Sequence, residues 1–347
     1  MADSTETDAR RNSRPGRRRW LTRIGVGLGV AVLVLVLAFQ LSPWPGSMLI
    51  RYGPMSDDPD VVALLDELAP DDIASDLDVS YDDGDPDGRM DIFWPAQASP
   101  SDALPTIVWV HGGGFVAGDK SGLSGYLSML ADEGYTTVAV EYSVAPGATY
   151  PTPVQQVSRA LAYLERHSDD YPIDPNQFVL AGDSAGAHIA GQTALTITNP
   201  AYAIDAGLPS ALDADQLAAT ILVSGALDLE LTNARGAEKW FIDTVLWAYS
   251  GTKDFRNDSQ MRWASIPQHV SADFPPTFIT AGNADPLLPH SESMAQALRD
   301  NNVDHSELFF DADHEPALNH EYQFNFEYAE SQTAFDMIVE HLEQHTD

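Results

Sequence analysis

The chain has 347 residues, of which 44% are hydrophobic and 20% charged, a balance that excludes wholesale disorder and suits one large core with a terminal extension. It contains no cysteine, which excludes a disulfide framework, a thiolate metal site and a cysteine nucleophile. The net charge is −34, so nucleic acid and other polyanions are disfavoured as partners.

Charge is divided unevenly along the chain. Residues 1–23 hold seven arginines and three acids, whereas the remainder holds 11 bases against 49 acids. Self-repulsion of that acidic part would be relieved by a salt-rich environment. Ile24 to Leu41 then runs IGVGLGVAVLVLVLAFQL without a charge, 18 residues. At about 1.5 Å per residue this spans roughly 27 Å, close to the hydrocarbon thickness of a bilayer. Trp20 and Trp44 suit the two interfaces, and Pro43 and Pro45 stop the helix.

Seven arginines before the span, against a lone Arg51 just beyond it, place the N-terminus in the cytoplasm and the rest outside. A cleaved secretory signal is a second reading, although Ala38-Phe39-Gln40 ends in a large polar residue where a small one is needed. Arg17-Arg18-Arg19-Trp20-Leu21 also approximates a twin-arginine export signal. These readings all put the following domain outside the membrane; a buried core helix is the fourth. The expected organisation is an arginine-rich cytoplasmic tail at 1–23, a transmembrane helix at 24–41, a linker and approach segment at 42–88, and a folded domain at 89–347.

Within the approach segment only Asp60 to Leu68 is helical by its apolar spacing. Strand patterns follow at Met90–Trp94, Thr106–Val110, Thr136–Tyr142, Ala219–Ser224, Thr277–Ala281 and Glu307–Phe310, and Phe178 to Ile189 reads as a buried strand, a sharp turn and a helix start. Helical patterns lie between them at Ser124–Glu133, Val154–His167 and Ser291–Asn301, and a last one runs from Tyr328 to His345; Ala226 to Asp273 reads as irregular. Near-continuous apolar strands alternating with helices predict an α/β fold, a mostly parallel sheet covered on both faces.

Two glycine-rich stretches carry the chemistry. In Phe178 to Ile189, FVLAGDSAGAHI, Ser184 sits between Gly182 and Gly186 in the pattern G-x-S-x-G, which permits a strained strand-to-helix corner that pushes the hydroxyl out of the fold. An ordinary glycine-bracketed helix cap is the plainer alternative. His111-Gly112-Gly113-Gly114-Phe115 directly follows a buried strand, and its glycines can turn backbone N–H groups toward a ligand. It lacks the Gly-Lys-Ser/Thr ending of a nucleotide loop.

Together HGGGF and GDSAG resemble the α/β-hydrolase superfamily, specifically the esterase/lipase branch that includes the hormone-sensitive lipase relatives. HGGGFVAGDK, EYSVAPGATYPTPVQQ and GNADPL extend the likeness from about Met90 to the C-terminus. The resemblance implies a nucleophile at Ser184, an acid at Asp285 within GNADPL, and a histidine base following it in the chain. His314 and His320 both qualify, 29 and 35 residues after Asp285; His320, in HEYQF just before the last helix, is chosen and His314 is the alternative base. Gly113, Gly114 and Ala185 would supply the oxyanion hole, and no metal or organic cofactor is called for. Asp183 and Asp228 are read as structural, and His111 as orienting the glycine loop.

The implied function is hydrolysis of small-molecule carboxylic esters through an acyl-enzyme, by a protein attached to the membrane through its N-terminal helix. Two alternatives stand beside it: a peptidase of the prolyl-oligopeptidase type, and a catalytically silent binding ectodomain. Lys239 to Ser250, KWFIDTVLWAYS, is read as buried packing or as a partial lining of the substrate pocket.

Overall fold

The computed structural model describes residues 15–53, 59–231 and 236–346. In chain order its elements are helices α1 (Pro15–Leu41), α2 (Trp44–Arg51) and α3 (Pro59–Leu68), strands β1 (Ile73–Ser80), β2 (Arg89–Pro95) and β3 (Thr106–Val110), helix α4 (Ser124–Asp132), β4 (Thr136–Val140) and α5 (Thr152–Arg166). There follow β5 (Phe178–Asp183), α6 (Ser184–Thr198), α7 (Pro200–Ala206), β6 (Leu217–Val223), α8 (Gly236–Ser250), β7 (Thr277–Thr280), α9 (Leu288–Asp300), β8 (His305–Leu308) and α10 (Ala329–His345).

The chain divides into two compact units, one ending at Pro45 and one from Gly46 to Asp347. In the first, Arg23–Leu41 is a 19-residue, largely apolar stretch of mean hydropathy 2.6 in which no residue is buried. Within the expected tail, residues 1–14 lie outside the described residues.

In the second unit, eight strands form one sheet in the order β1-β2-β4-β3-β5-β6-β7-β8. β1 and β2 pair antiparallel, β2 runs antiparallel to β4, and every pairing from β4 to β8 is parallel. The apolar runs follow from burial on both faces: in β3, Val108 and Val110 enter one core cluster while Ile107 and Trp109 enter the other. Phe178 and Leu180 alternate with Val179 and Ala181 in the same way along β5.

The structure corrects the reading of residues 42–88 as a linker. β1 pairs with β2 from Ile73↔Pro95 to Ser80↔Arg89, with a register shift between Asp76 and Val79. An edge strand that buries neither face fully shows no clean alternation, and Asp76 and Asp78 within it read as loop. α3 is also part of this unit: a Cβ on Gly125 of α4 would meet the Leu65 carbonyl oxygen at 2.3 Å, so glycine permits the two helices to touch. Arg51 of α2 donates from Nε to the Val116 carbonyl at 2.6 Å and from Nη2 to the Ala145 carbonyl at 2.9 Å. The expected irregular region between β6 and β7 contains α8, with Val245, Leu246, Ala248 and Tyr249 buried.

Candidate active site

Ser184 begins α6 directly after β5, with φ +50, a left-handed backbone that L-residues rarely adopt. Its neighbours explain the two glycines. A Cβ on Gly182 would lie 2.6 Å from the Gly186 carbonyl carbon, and one on Gly186 would lie 1.9 Å from the Val110 carbonyl oxygen. Only bare backbone lets β5, the turn and β3 approach this closely.

The loop after β3 turns back on itself, with φ +101 at Gly113, +58 at Gly114 and +64 at Phe115. The Gly113 carbonyl accepts from the N–H groups of Val116 and Ala117, at 3.1 and 2.9 Å. Ala185 is the second residue of α6, so its N–H is among the four at a helix start with no acceptor inside the helix. Phe241 and Val245 of α8 lie 3.2 and 3.5 Å from where a Gly114 Cβ would sit, so α8 both fills the core and flanks this loop. His111 stacks on Tyr142 and sits 3.4 Å from Glu141, beneath the loop.

The segments after β7 and β8 are tied together. Asn283 donates from Nδ2 to the His314 carbonyl at 3.0 Å and accepts from the Leu318 N–H at 2.9 Å, while the Ala284 N–H donates to the Leu318 carbonyl at 2.9 Å. A Cβ on Gly282 would lie 2.2 Å from that carbonyl oxygen, which accounts for glycine at the start of GNADPL. The result is that His320 Nδ1 lies 3.0 Å from both carboxylate oxygens of Asp285, and Nε2 lies 2.9 Å from Ser184 Oγ. Asp285 Oδ1 also accepts from the Leu287 N–H at 2.7 Å, and its side chain is fully buried.

His314 lies elsewhere. Its Nε2 is 2.8 Å from Glu330 Oε1 of α10. Asp228 accepts from the hydroxyls of Ser265 and Ser293, at 2.7 and 2.8 Å, and its N–H donates to His290 Nδ1 at 3.2 Å.

Two acids near His320 have a place in the site that the sequence pattern did not indicate. Glu321 Oε1 is 3.5 Å from His320 Nε2. Asp183, buried at the end of β5, accepts from Trp109 Nε1 at 2.8 Å, and its Oδ2 and Glu321 Oε1 both face Gly112, 2.3 and 2.8 Å from where a Cβ there would sit. Burial and the Glu321 charge push Asp183 well above the usual carboxylate range. For His320, burial opposes the charged form, but the charge of Glu321 and the hydrogen bond and charge of Asp285 raise its pKa to about 9. Adjacency of Glu321 to His320 was the one signal available; the turn that folds its side chain back is not announced by residue type. A cavity of about 330 Å³ opens beside the imidazole, walled by Val61 and Leu65 of α3 together with Gly112, Asp119, Glu321 and Tyr328. Among the described residues, no three metal-ligating side chains converge.

A mostly parallel sheet of this strand order, with a serine on a strained turn after β5, is that of the α/β hydrolases. Among solved structures, esterase B from Lactobacillus rhamnosis superposes with a TM-score of 0.68 at 22% identity, covering 79% of this chain and 86% of that one. The chain belongs to the BD-FAE family, whose model matches residues 90–299. Esterase LipQ of Mycobacterium tuberculosis is 30% identical over 226 residues, 64% of this chain and 52% of that protein. Esterase LipC of the same organism is 31% identical over 227 residues, 64% of this chain and 54% of that protein. The chain therefore spans about half the length of these curated relatives.

Proposed function

We propose that the protein is a serine hydrolase of carboxylic esters. The observation that carries this reading is the continuous line of hydrogen-bond distances from Asp285 through His320 to Ser184, 3.0 and 2.9 Å, on the serine of a strained turn. The names of relatives such as LipQ and LipC favour esters over peptides as the substrate class.

In the proposed reaction Ser184 Oγ attacks the ester carbonyl carbon while its proton passes to His320 Nε2. The developing oxyanion is held by N–H groups of Gly113, Gly114 and Ala185; losing one such donor typically costs about 10² to 10³ in kcat. As the tetrahedral intermediate collapses, Nε2 returns the proton to the departing alkoxide and the alcohol leaves. Water then attacks the acyl-serine, giving its proton to Nε2, and the acid departs as Oγ is reprotonated. Asp285 keeps the imidazole in the tautomer with hydrogen on Nδ1 and stabilises the imidazolium.

The apolar helix supports a further part of the proposal: a single membrane span, since the 19 residues Arg23–Leu41 reach about 28 Å, with the N-terminus in the cytoplasm and the hydrolase domain outside, as the seven arginines in residues 1–23 favour. The full chain is then expected to stay with membranes through an alkaline carbonate wash, and release into the soluble fraction would reject the span. For the chemistry, turnover of p-nitrophenyl acetate by the wild type is compared with Ser184→Ala. Equal rates would remove the enzyme assignment.

A further inference from the structure

The mechanism leaves two acids beside the imidazole without a task. Glu321 takes a left-handed backbone, φ +58, and its N–H donates to Ser224 Oγ at 3.2 Å. That turn brings Oε1 to 3.5 Å from Nε2, the nitrogen that faces Ser184, while Asp285 holds Nδ1 on the opposite edge. The imidazole thus lies between two carboxyl groups. Behind Glu321 is Asp183, whose Oδ1 is taken by the Trp109 indole.

Space for the two acids is provided by Gly112. A Cβ there would meet Asp183 Oδ2 at 2.3 Å and Glu321 Oε1 at 2.8 Å, so any other residue would displace one of them. Two carboxyl groups can share a hydrogen bond only if one is protonated. Asp183 is the more deeply buried of the two, whereas Glu321 reaches solvent over 29% of its side chain, so the proton belongs on Asp183 and the charge on Glu321.

Resting on the hydrolase reading above, we propose that Glu321 is a positioning residue: its carboxylate, bonded to a protonated Asp183, faces the Ser184 side of His320, favours the imidazolium and moves hydrolysis to alkaline pH. The titratable groups facing His320 are Asp285 after β7, Asp183 at the end of β5, and Glu321 itself. Beyond them, the charge of His111, which is 3.4 Å from Glu141, acts on Asp183, and the charge of Asp285 acts on His290. Asp285 must stay ionised for the reaction, so the adjustable element is the Asp183–Glu321 pair. Base catalysis needs neutral His320, so activity rises as pH climbs through the imidazole pKa, near 9 in the intact site.

The test is the dependence of kcat/KM on pH, from 5 to 10.5, for the full chain on p-nitrophenyl acetate, comparing wild type with Glu321→Gln, Asp183→Asn and the double variant. Glu321→Gln is expected to lower the midpoint of the acid limb by about 1 pH unit, giving roughly tenfold more activity near pH 7, with an equal or lower rate at pH 10. Asp183→Asn still accepts from Trp109 and donates to Glu321, as a protonated aspartate does, and its midpoint should stay within about 0.3 unit of wild type. The double variant, in which the only added change is at an uncharged Asp183, should share the lowered midpoint of Glu321→Gln within about 0.3 unit. An unmoved midpoint in Glu321→Gln, or a parallel loss at every pH, overturns the proposal; so does a drop of more than about half a unit in Asp183→Asn, which would place the proton on Glu321. A wild type without Ser184-dependent turnover fails the hydrolase reading instead.

Discussion

Replacing Asp285 by Asn isolates what the buried acid contributes, because size and shape are kept and only charge and one acceptor change. The Leu287 N–H, 2.7 Å from Oδ1, requires an acceptor at that position, so the amide oxygen occupies it and the NH₂ takes the place of Oδ2. That puts a donor 3.0 Å from His320 Nδ1, which already carries the hydrogen in the productive tautomer. The ring relieves the conflict by moving its proton to Nε2, and Nε2 then presents a hydrogen to Ser184 Oγ instead of a lone pair. In a serine protease the equivalent change costs about 10⁴ in kcat, which corresponds to about 5.4 kcal/mol of transition-state stabilisation. Steady-state kinetics on p-nitrophenyl acetate should show the loss in kcat with KM within about threefold, and thermal melting should verify that the variant is folded. A folded Asp285→Asn enzyme that loses less than about tenfold would refute the assignment of Asp285 as the partner of His320.

Three other outcomes are expected. His320→Ala should lose at least about 10³ in kcat while His314→Ala, which gives up contacts with Glu330 and Phe310, stays within about threefold; a near-wild-type His320→Ala enzyme transfers the role of base to another residue. Arg51→Ala leaves the Val116 and Ala145 carbonyls without their side-chain donor and should destabilise the protein by about 1 to 3 kcal/mol in denaturant melts, with no change implying that water replaces the guanidinium. His320 has a pKa raised to about 9 in the fold against about 6.5 for a free imidazole, so its charged form stabilises the native state fully below pH 6.5 and that contribution disappears as pH rises through 9. The stability difference between wild type and His320→Ala should therefore shrink between pH 6 and 9.5; solvent reaches about a third of the side chain, so the change is modest, and a difference that grows over this range contradicts the sign.

The residue pattern was informative wherever the physics is local. A buried strand must be apolar on both faces, so β3, β5 and β6 were legible as runs; a serine turn squeezed between β5 and β3 must have glycine on both sides, so the corner at Ser184 was legible as a pattern. The apolar helix could be read from composition because nothing else is needed to define it. β1 and the role of α3 were not legible, because a half-covered edge strand and a short helix are fixed by the partners they pack on.

Ser184 and the glycine loop are thus properties of the sequence itself, written in backbone geometry that only certain residues allow. The choice between His314 and His320 is different in kind. The two lie six residues apart on one loop, and what separates them is how Asn283 and Gly282 clamp that loop against the strand beside it, turning one imidazole to Asp285 and the other to Glu330. The same holds for the Asp183–Glu321 pair, 138 positions apart in the chain. Its electrostatics arise only from proximity in the folded protein, where a bare glycine makes room for both acids.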